Sequence, residues 1–311
     1  MDKPPVTKRI VLITLVLSLI VITVIFISNF FDTRTKIVFC DVGQGDGAYI
    51  RVKNKIDIVI DAGPGKKVLN CLGKHMPFFD KEIEIAIITH PQTDHYGGFL
   101  PMLERYKINT FVIDSFDTPN SSFKELLQKI KEKKSRISAF FQNDEINLGE
   151  SRIIFHWPPA TNDERRTQND PNNLSLIFTY EENALPAGLR LRGRSDSRSR
   201  QGFRVLFTGD ATPKVLNKLL KQQNLKSNIL KIPHHGSKNG LTKEFLQLAD
   251  PELSVISVGR KNAYGHPSKN VIDMFKALKK KYLRTDQEGD IVFKIQSTNV
   301  KSFRFWISFE I

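Results

Sequence analysis

Between residues 88 and 98 the chain reads "ITHPQTDHYGG", which places His90, Asp94 and His95 within six positions and just ahead of two glycines. Imidazole and carboxylate together suit zinc or manganese, and grouping around an ion avoids leaving buried charges unpaired. A turn at Gly97-Gly98 lets a short stretch of backbone aim all three side chains at one point. His234 and His235 follow in "KIPHHGS" and His266 in "YGHPS", whereas His75 and His156 are isolated and read as structural. Two more acids close strand-like runs ahead of small residues, Asp61 in "VIDAGPG" and Asp210 in "LFTGDA". A carboxylate so placed can bridge metals or fix a ligand histidine from behind.

Strands must carry most of these groups. "KIVFCDV", "GAYIRV", "KIDIVID" and "IEIAIITH" come first, then "LSLIFTY", "FRVLFTGD", "NILKIP" and "ELSVISVG", and "SFRFWISFEI" closes the chain. Several alternate with period two, and "AIITH" has the unbroken apolar character of a strand buried on both faces. Helices are expected at "FKELLQKIKEKK", capped by Ser121 or Ser122, at "KVLNKLLKQQ" after Thr212-Pro213, and at "SKNVIDMFKALKKK" with Ser268 as cap. No stretch of linker composition divides residues 36–311. They read as one α+β domain with two sheets and helices outside them.

Two segments depart from that pattern. Residues 10–27 read "IVLITLVLSLIVITVIFI", without charge and with only Thr14, Ser18 and Thr23 as polar breaks. About twenty apolar residues span a bilayer, so a single transmembrane anchor is expected over residues 10–28. Lys3, Lys8 and Arg9 leave residues 1–9 as a short cytoplasmic tail and put the rest of the chain on the outer side of the cell membrane. The second segment, residues 181–202, reads "EENALPAGLRLRGRSDSRSRQG" and carries five arginines. Its composition predicts a disordered inserted loop, either a basic arm for a phosphate backbone or a tolerated insertion.

Lys and Arg number 47 against 33 Asp and Glu, a formal charge of +14. Such an excess points to polyanionic partners, nucleic acid or an anionic membrane. The two cysteines, Cys40 and Cys71, lack metal-ligand spacing. One disulfide would be their most interesting use, but Cys40 lies in an apolar run and a buried thiol is expected.

The motifs in order, "DVGQGDG", "IDAG", "THPQTDH", "NNLSLIF", "LFTGDA", "KIPHHGS", "VGRKNAYGHP" and "TDQEGDIVF", resemble the metallo-β-lactamase fold. More narrowly they resemble the hydrolase domain of the ComEC/Rec2 competence family, over residues 36–311. The anchor expected over residues 10–28 would stand in place of that family's multi-span channel part. The resemblance implies a four-layer αββα sandwich holding one or two ions, Zn2+ or Mn2+, at one edge of the sheets. His90 and residue 92 would hold the first ion. Asp94, His95 and a histidine of the "HHGS" pair, His235 by preference with His234 as the alternative, would hold the second, with Asp210 between. Position 92 is Gln92, where the family has His or Asp, so the first site is weakened. Asn173 and Ser175 stand where many members have another histidine, and would contact substrate at the opening of the site. His266 would contact metal or phosphate, the amides of Gly236 and Ser237 would bind substrate oxygens, and Asp61 would support the ligands. Asp94 and Asp210 are the expected catalytic groups, since a metal that lowers the pKa of water to about 7 makes hydroxide available at neutral pH.

The reading that follows is a membrane-anchored, metal-dependent phosphodiesterase or nuclease acting on single-stranded DNA, with competence-type DNA-uptake machinery as its setting. A metallo-hydrolase of a small ester, lactone or nucleotide is the first alternative. A non-catalytic nucleic-acid-binding module is the second.

Overall fold

β-Branched and aromatic residues dominate the runs that become strands, and they assemble into two sheets in a computed structural model that describes residues 8–30, 34–114, 120–160, 170–182, 202–222, 225–297 and 303–310. One sheet contains β1 (Thr35–Phe39), β2 (Gly47–Val52), β3 (Ile56–Ala62), β4 (Glu82–Ile88), β5 (Lys107–Ile113), β6 (Arg136–Ser138), β14 (Asp290–Ser297) and β15 (Phe303–Glu310), in the order β15-β14-β1-β2-β3-β4-β5-β6. The other contains β7 (Glu145–Leu148), β8 (Ser151–Trp157), β9 (Ile177–Glu182), β10 (Phe203–Phe207), β11 (Ile229–Lys231), β12 (Leu253–Ile256) and β13 (Tyr282–Arg284), in the order β13-β12-β11-β10-β9-β8-β7. The helices are α1 (Lys8–Phe30), α2 (Lys67–His75), α3 (Thr93–Tyr96), α4 (Phe99–Met102), α5 (Ser121–Glu132), α6 (Pro213–Leu219), α7 (Lys243–Ala249), α8 (Lys269–Ala277) and α9 (Thr285–Glu288).

The two-residue period sorts side chains into layers. On β1, Ile37 and Phe39 face the second sheet, while Val38 turns toward the helices. Both faces are apolar because both are covered. α2, α4 and α5 bury Leu72, Phe99 and Leu126 on the outside of the eight-stranded sheet. α6, α7 and α8 bury Leu216, Phe245 and Phe275 on the outside of the other. Helix, sheet, sheet and helix therefore stack as four layers. Between the sheets, Phe140, Phe155, Phe178, Phe207 and Phe39 form a continuous run of rings at centroid spacings of 5.0, 5.6, 5.2 and 5.8 Å.

Several local expectations change. Cys40 and Cys71 form a disulfide rather than a buried thiol, joining the end of β1 to α2. Cys40 follows Val38 onto the helix-covered face, where α2 brings Cys71 to a Cα–Cα distance of 5.8 Å, and only the fold brings that helix back. Asn120, not a serine, caps α5, its side chain accepting from the amides of Ser122 and Phe123. Ser268 and Thr212 flank their helices without a side-chain cap bond. Glu181 and Glu182 are not loop but the end of β9, paired with Arg204 and Phe203. Glu182 is buried and accepts from Thr35 and Ser151 hydroxyls, each at 2.9 Å. The five arginines beyond it lie outside the described residues.

α1 carries exposed apolar side chains throughout its described part, from Ile10 to Val24. Among the described residues no helix is long and apolar enough to cross a membrane, so the fold lends the expected transmembrane span over residues 10–28 no support.

Because Phe178 sits mid-run between the sheets, Phe178→Ala should destabilise the domain by about 3–5 kcal/mol. Phe79→Ala, at a residue 61% exposed, should stay within about 0.5 kcal/mol. Urea unfolding of the two variants compares them directly.

Candidate metal centre

Strand direction places the site. β3 and β4 are parallel in one sheet, and β10, β11 and β12 are parallel in the other. Their carboxyl ends meet along one edge, where the Leu176 amide donates to the Thr89 carbonyl at 2.9 Å and ties the sheets together. Asp61 lies at the end of β3, His90 just past β4, Asp210 just past β10, and His234-His235 just past β11. Asp94 and His95 sit on α3, one turn after His90.

Two buried carboxylates face two imidazoles at Nδ1. Asp61 accepts from the Thr89 amide at 2.8 Å and its hydroxyl at 2.7 Å, and its Oδ2 lies 2.9 Å from His95 Nδ1. Asp46, from the loop before β2, has Oδ1 3.2 Å from His235 Nδ1, which is also 3.0 Å from the Ser257 carbonyl. The Ser257 carbonyl is the hydrogen-bond partner of that N–H, and Asp46 Oδ1 faces it as a nearby charge. Fixing Nδ1 as donor leaves Nε2 with its lone pair. His95 Nε2 is then 3.3 Å from Asp210 Oδ1, and His235 Nε2 is 3.3 Å from Asp94 Oδ2 and 3.5 Å from Asp210 Oδ2.

Ligand atoms of Asp94, His95, Asp210 and His235 all lie within 4.8 Å of one another. Nε2 of His95 and His235 and both Asp210 oxygens are buried without a hydrogen-bond partner. Buried polar atoms are ordinarily satisfied, so a converging set of orphans fits a divalent cation with mixed nitrogen and oxygen ligands. The electrostatics agree. Burial works against charge on His235, but Asp210 and Asp46 outweigh it and raise its pKa to about 9. Burial likewise opposes charge on His95, where Asp210 and Asp61 prevail and raise its pKa well above the ordinary value. Asp210 is held well below the carboxylate range, its burial overcome by His235 and His95. The positive charge that protons supply in this cluster is what a cation would replace.

The other expected residues fall into place unevenly. His90 lies 4.0 Å from the His95 ring, tilted by 57°, with its Nε2 buried and unpartnered. Burial, then the neighbouring His95, lower its pKa to about 3, leaving it a neutral donor beside the tight group. Gln92 is engaged elsewhere, its Nε2 donating to Asn172 Oδ1 at 2.9 Å. His235 is 2% exposed and belongs to the group; the His234 side chain is 26% exposed and its Nε2 stands 3.8 Å from Asp210. Asn173 and Ser175, expected to touch substrate, are framework. Asn173 accepts from Trp157 Nε1 and from the Thr212 hydroxyl, and fully buried Ser175 accepts from the Asp210 amide at 3.3 Å. The Ser237 amide is committed to the His234 carbonyl at 2.7 Å and its hydroxyl to the Asn239 amide, while Gly236 turns the backbone between. His266 lines the rim, 6.2 Å ring to ring from His234. His75 and His156 are structural, near Asp290 at 3.1 Å and Thr179 at 2.8 Å.

Two residues escaped sequence reading. Asp46 stands in "DVGQGD", with its pKa lowered to about 2 because Lys231 and His235 overcome its burial. Gly45 brings it there: φ is +142°, and a Cβ would meet the Asp94 carbonyl oxygen at 2.3 Å. Lys231 ends β11, 3% exposed, paired with Asp46 and donating to the Gly209 carbonyl at 3.0 Å. A lysine inside the apolar run "NILKIP" was its only sequence signal.

Fold and centre together define a class, and residues 41–260 match the metallo-beta-lactamase superfamily. The chain belongs to that superfamily. It is 24% identical over 301 residues to ComE operon protein 3 of Bacillus subtilis, covering 89% of this chain and 35% of that protein. It is 25% identical over 263 residues to Recombination protein 2 of Haemophilus influenzae, covering 81% and 28%. The chain thus spans about a third of the length of these relatives. Among solved structures, the metallo-beta-lactamase fold protein YhfI from Bacillus subtilis aligns with a TM-score of 0.51 at 12% identity, covering 88% of this chain and all of that one.

Asp61→Asn keeps the shape but weakens the hold on His95 Nδ1. It should lower affinity for Zn2+ or Mn2+ about 10- to 100-fold, read by competition against a chelating dye, with the thermal unfolding midpoint of the chelated protein as the control for folding.

Proposed function

We propose that this chain is a metal-dependent phosphodiesterase that cleaves single-stranded DNA outside the cytoplasmic membrane, to which α1 ties it. The observation that carries the reading is the convergence of Asp94, His95, Asp210 and His235 on one point, with orphaned Nε2 and carboxylate atoms. Asp94, His95, Asp210 and His235 would hold a divalent ion there, which would supply Lewis acidity and lower the pKa of water. The chain's own groups do the rest. Asp61 holds the His95 ring and the Ser257 carbonyl the His235 ring, with Asp46 close beside it, so neither has to reorient as charge develops on the phosphate. Asp94 has a 32% exposed side chain and the other three are buried. It is therefore the carboxylate placed to accept the proton of an attacking water, at Oδ2. His234 and His266 border the opening on the other side and can donate to phosphate oxygens.

The substrate class rests on two supports, the charge of +14 and the likeness to a ComE operon protein, a recombination protein and, over 105 residues at 37% identity, competence protein ComA of Neisseria gonorrhoeae. Competence-type DNA uptake is the setting those names suggest. The membrane tie rests on α1, whose side chains from Ile10 to Val24 are exposed and apolar apart from Thr14, Ser18 and Thr23, while the uncharged run continues in sequence to Ile27. The Cys40–Cys71 disulfide favours an oxidising compartment, hence the outer side.

Labelled single-stranded DNA incubated with the full chain and Mn2+ or Zn2+ should be cut, and Asp94→Asn should lower the rate at least about 100-fold, in the range of a lost general base. Cleavage that survives that change sinks the assignment; tight DNA binding without cleavage in any metal would favour a binding module. Binding should weaken with salt by about 0.7 log units per phosphate contact per decade of concentration, a response a small-ester hydrolase lacks. Gln92→His should raise metal content and rate together, because an imidazole replaces a neutral amide that is a poor zinc ligand.

A further inference from the structure

The six rings from Tyr264 to His90 form a ladder that climbs out of the centre. His90 and His95 are 4.0 Å apart, His95 and His235 5.3 Å, His235 and His234 6.3 Å, His234 and His266 6.2 Å, and His266 and Tyr264 5.8 Å. Burial falls along it, from His90 at 0% exposure to Tyr264 at 73%. The last pair is parallel, with 17° between the ring planes, so Tyr264 lies flat on His266 and turns its other face to solvent.

An exposed tyrosine is commonplace; one held flat beside a polar cleft is not. Asn262 clamps the loop, its Nδ2 donating to the Gly259 and His266 carbonyls at 2.9 Å and its Oδ1 accepting from the His266 amide at 2.8 Å. Gly259 donates in turn to Gln44 Oε1 at 3.1 Å, which ties the loop to the segment that carries Asp46. Gly265 adopts a φ of +68° with open space around it, and that left-handed turn lets residues 264 and 266 stack on the same side. Arg260 and Lys261 are exposed on the same loop and Lys238 beside the "HHGS" turn. An exposed aromatic face on a loop that also carries cations is what an unpaired nucleobase and its phosphates require.

We propose that Tyr264, stacked on His266, is a base-stacking subsite that seats a nucleobase of single-stranded DNA next to the scissile phosphate. This rests on the phosphodiesterase reading and adds the reason for strand preference. A base inside a duplex has both faces occupied by its neighbours, so only an unpaired base can lie on the ring. Stacking is tolerant of sequence because every base has a π face.

The test uses the full chain and fluorescence anisotropy of a labelled oligodeoxynucleotide with EDTA present, so that binding is read without cleavage. Tyr264→Ala should weaken binding about 5- to 100-fold, in the range of one base stack, and Tyr264→Phe and Tyr264→Trp should retain it. An oligonucleotide with consecutive abasic sites should bind the native chain as weakly as Tyr264→Ala binds the intact strand, and the substitution should cost nothing further there. Gly265→Ala, which unseats the stack and leaves Tyr264 present, should give a loss of the same kind. Equal losses on intact and abasic strands, no loss in Tyr264→Ala, or no binding of single strands at all would overturn the subsite. Absence of cleavage with Mn2+ or Zn2+, with base-dependent binding intact, would overturn the phosphodiesterase reading and leave the subsite standing.

Discussion

A buried ion pair joins the two sheets, and the candidate metal centre is organised around it. Asp46 belongs to the loop entering β2 of the eight-stranded sheet, and Lys231 ends β11 of the other. Both are nearly inaccessible. A buried pair gains little net stability, since desolvation offsets most of its attraction, but loss of one partner strands a charge in the interior. Here the pair has a positional consequence. With one oxygen facing Lys231, Asp46 turns the other toward His235 Nδ1, and Lys231 also lies 3.8 Å from Asp210 Oδ1. A shift of one sheet against the other would move ligand and orienting group together.

The turn that carries His234 and His235 shows the same dependence. Both have left-handed φ values, 51° and 52°, and such residues cost on the order of 1–3 kcal/mol each unless their surroundings fix them. Fixing is evident: the His234 amide donates to the Gly209 carbonyl at 3.3 Å and the Ser268 amide to the Gly236 carbonyl at 2.9 Å. Consecutive left-handed residues throw the two side chains apart, His235 inward and His234 to the rim.

The candidate centre is lopsided. One group of four candidate ligands converges tightly with His90 beside it, while the Gln92 amide is bound to Asn172. Asn172 and Asn173 use their side chains within the framework, so the 3-10 turn at Pro171–Leu174 stiffens the edge of the site instead of adding an imidazole.

Sequence alone determined the alternating strands, the two-sheet α+β class and the clustered histidines, because period-two patterning and local spacing are properties of neighbouring residues. It also singled out Asp61, Asp94, His95 and Asp210, each set beside a turn that a reader can see. Tertiary structure decided what depends on remote contact. Spacing could not choose between His234 and His235, since the choice lies in two φ angles. It could not join Cys40 to Cys71 across 31 positions, nor remove Ser175 from the opening, which follows from its burial behind Asp210. Asp46 and Lys231 are far apart in the chain, and a carboxylate and an ammonium become partners only when two sheets close over them and exclude water.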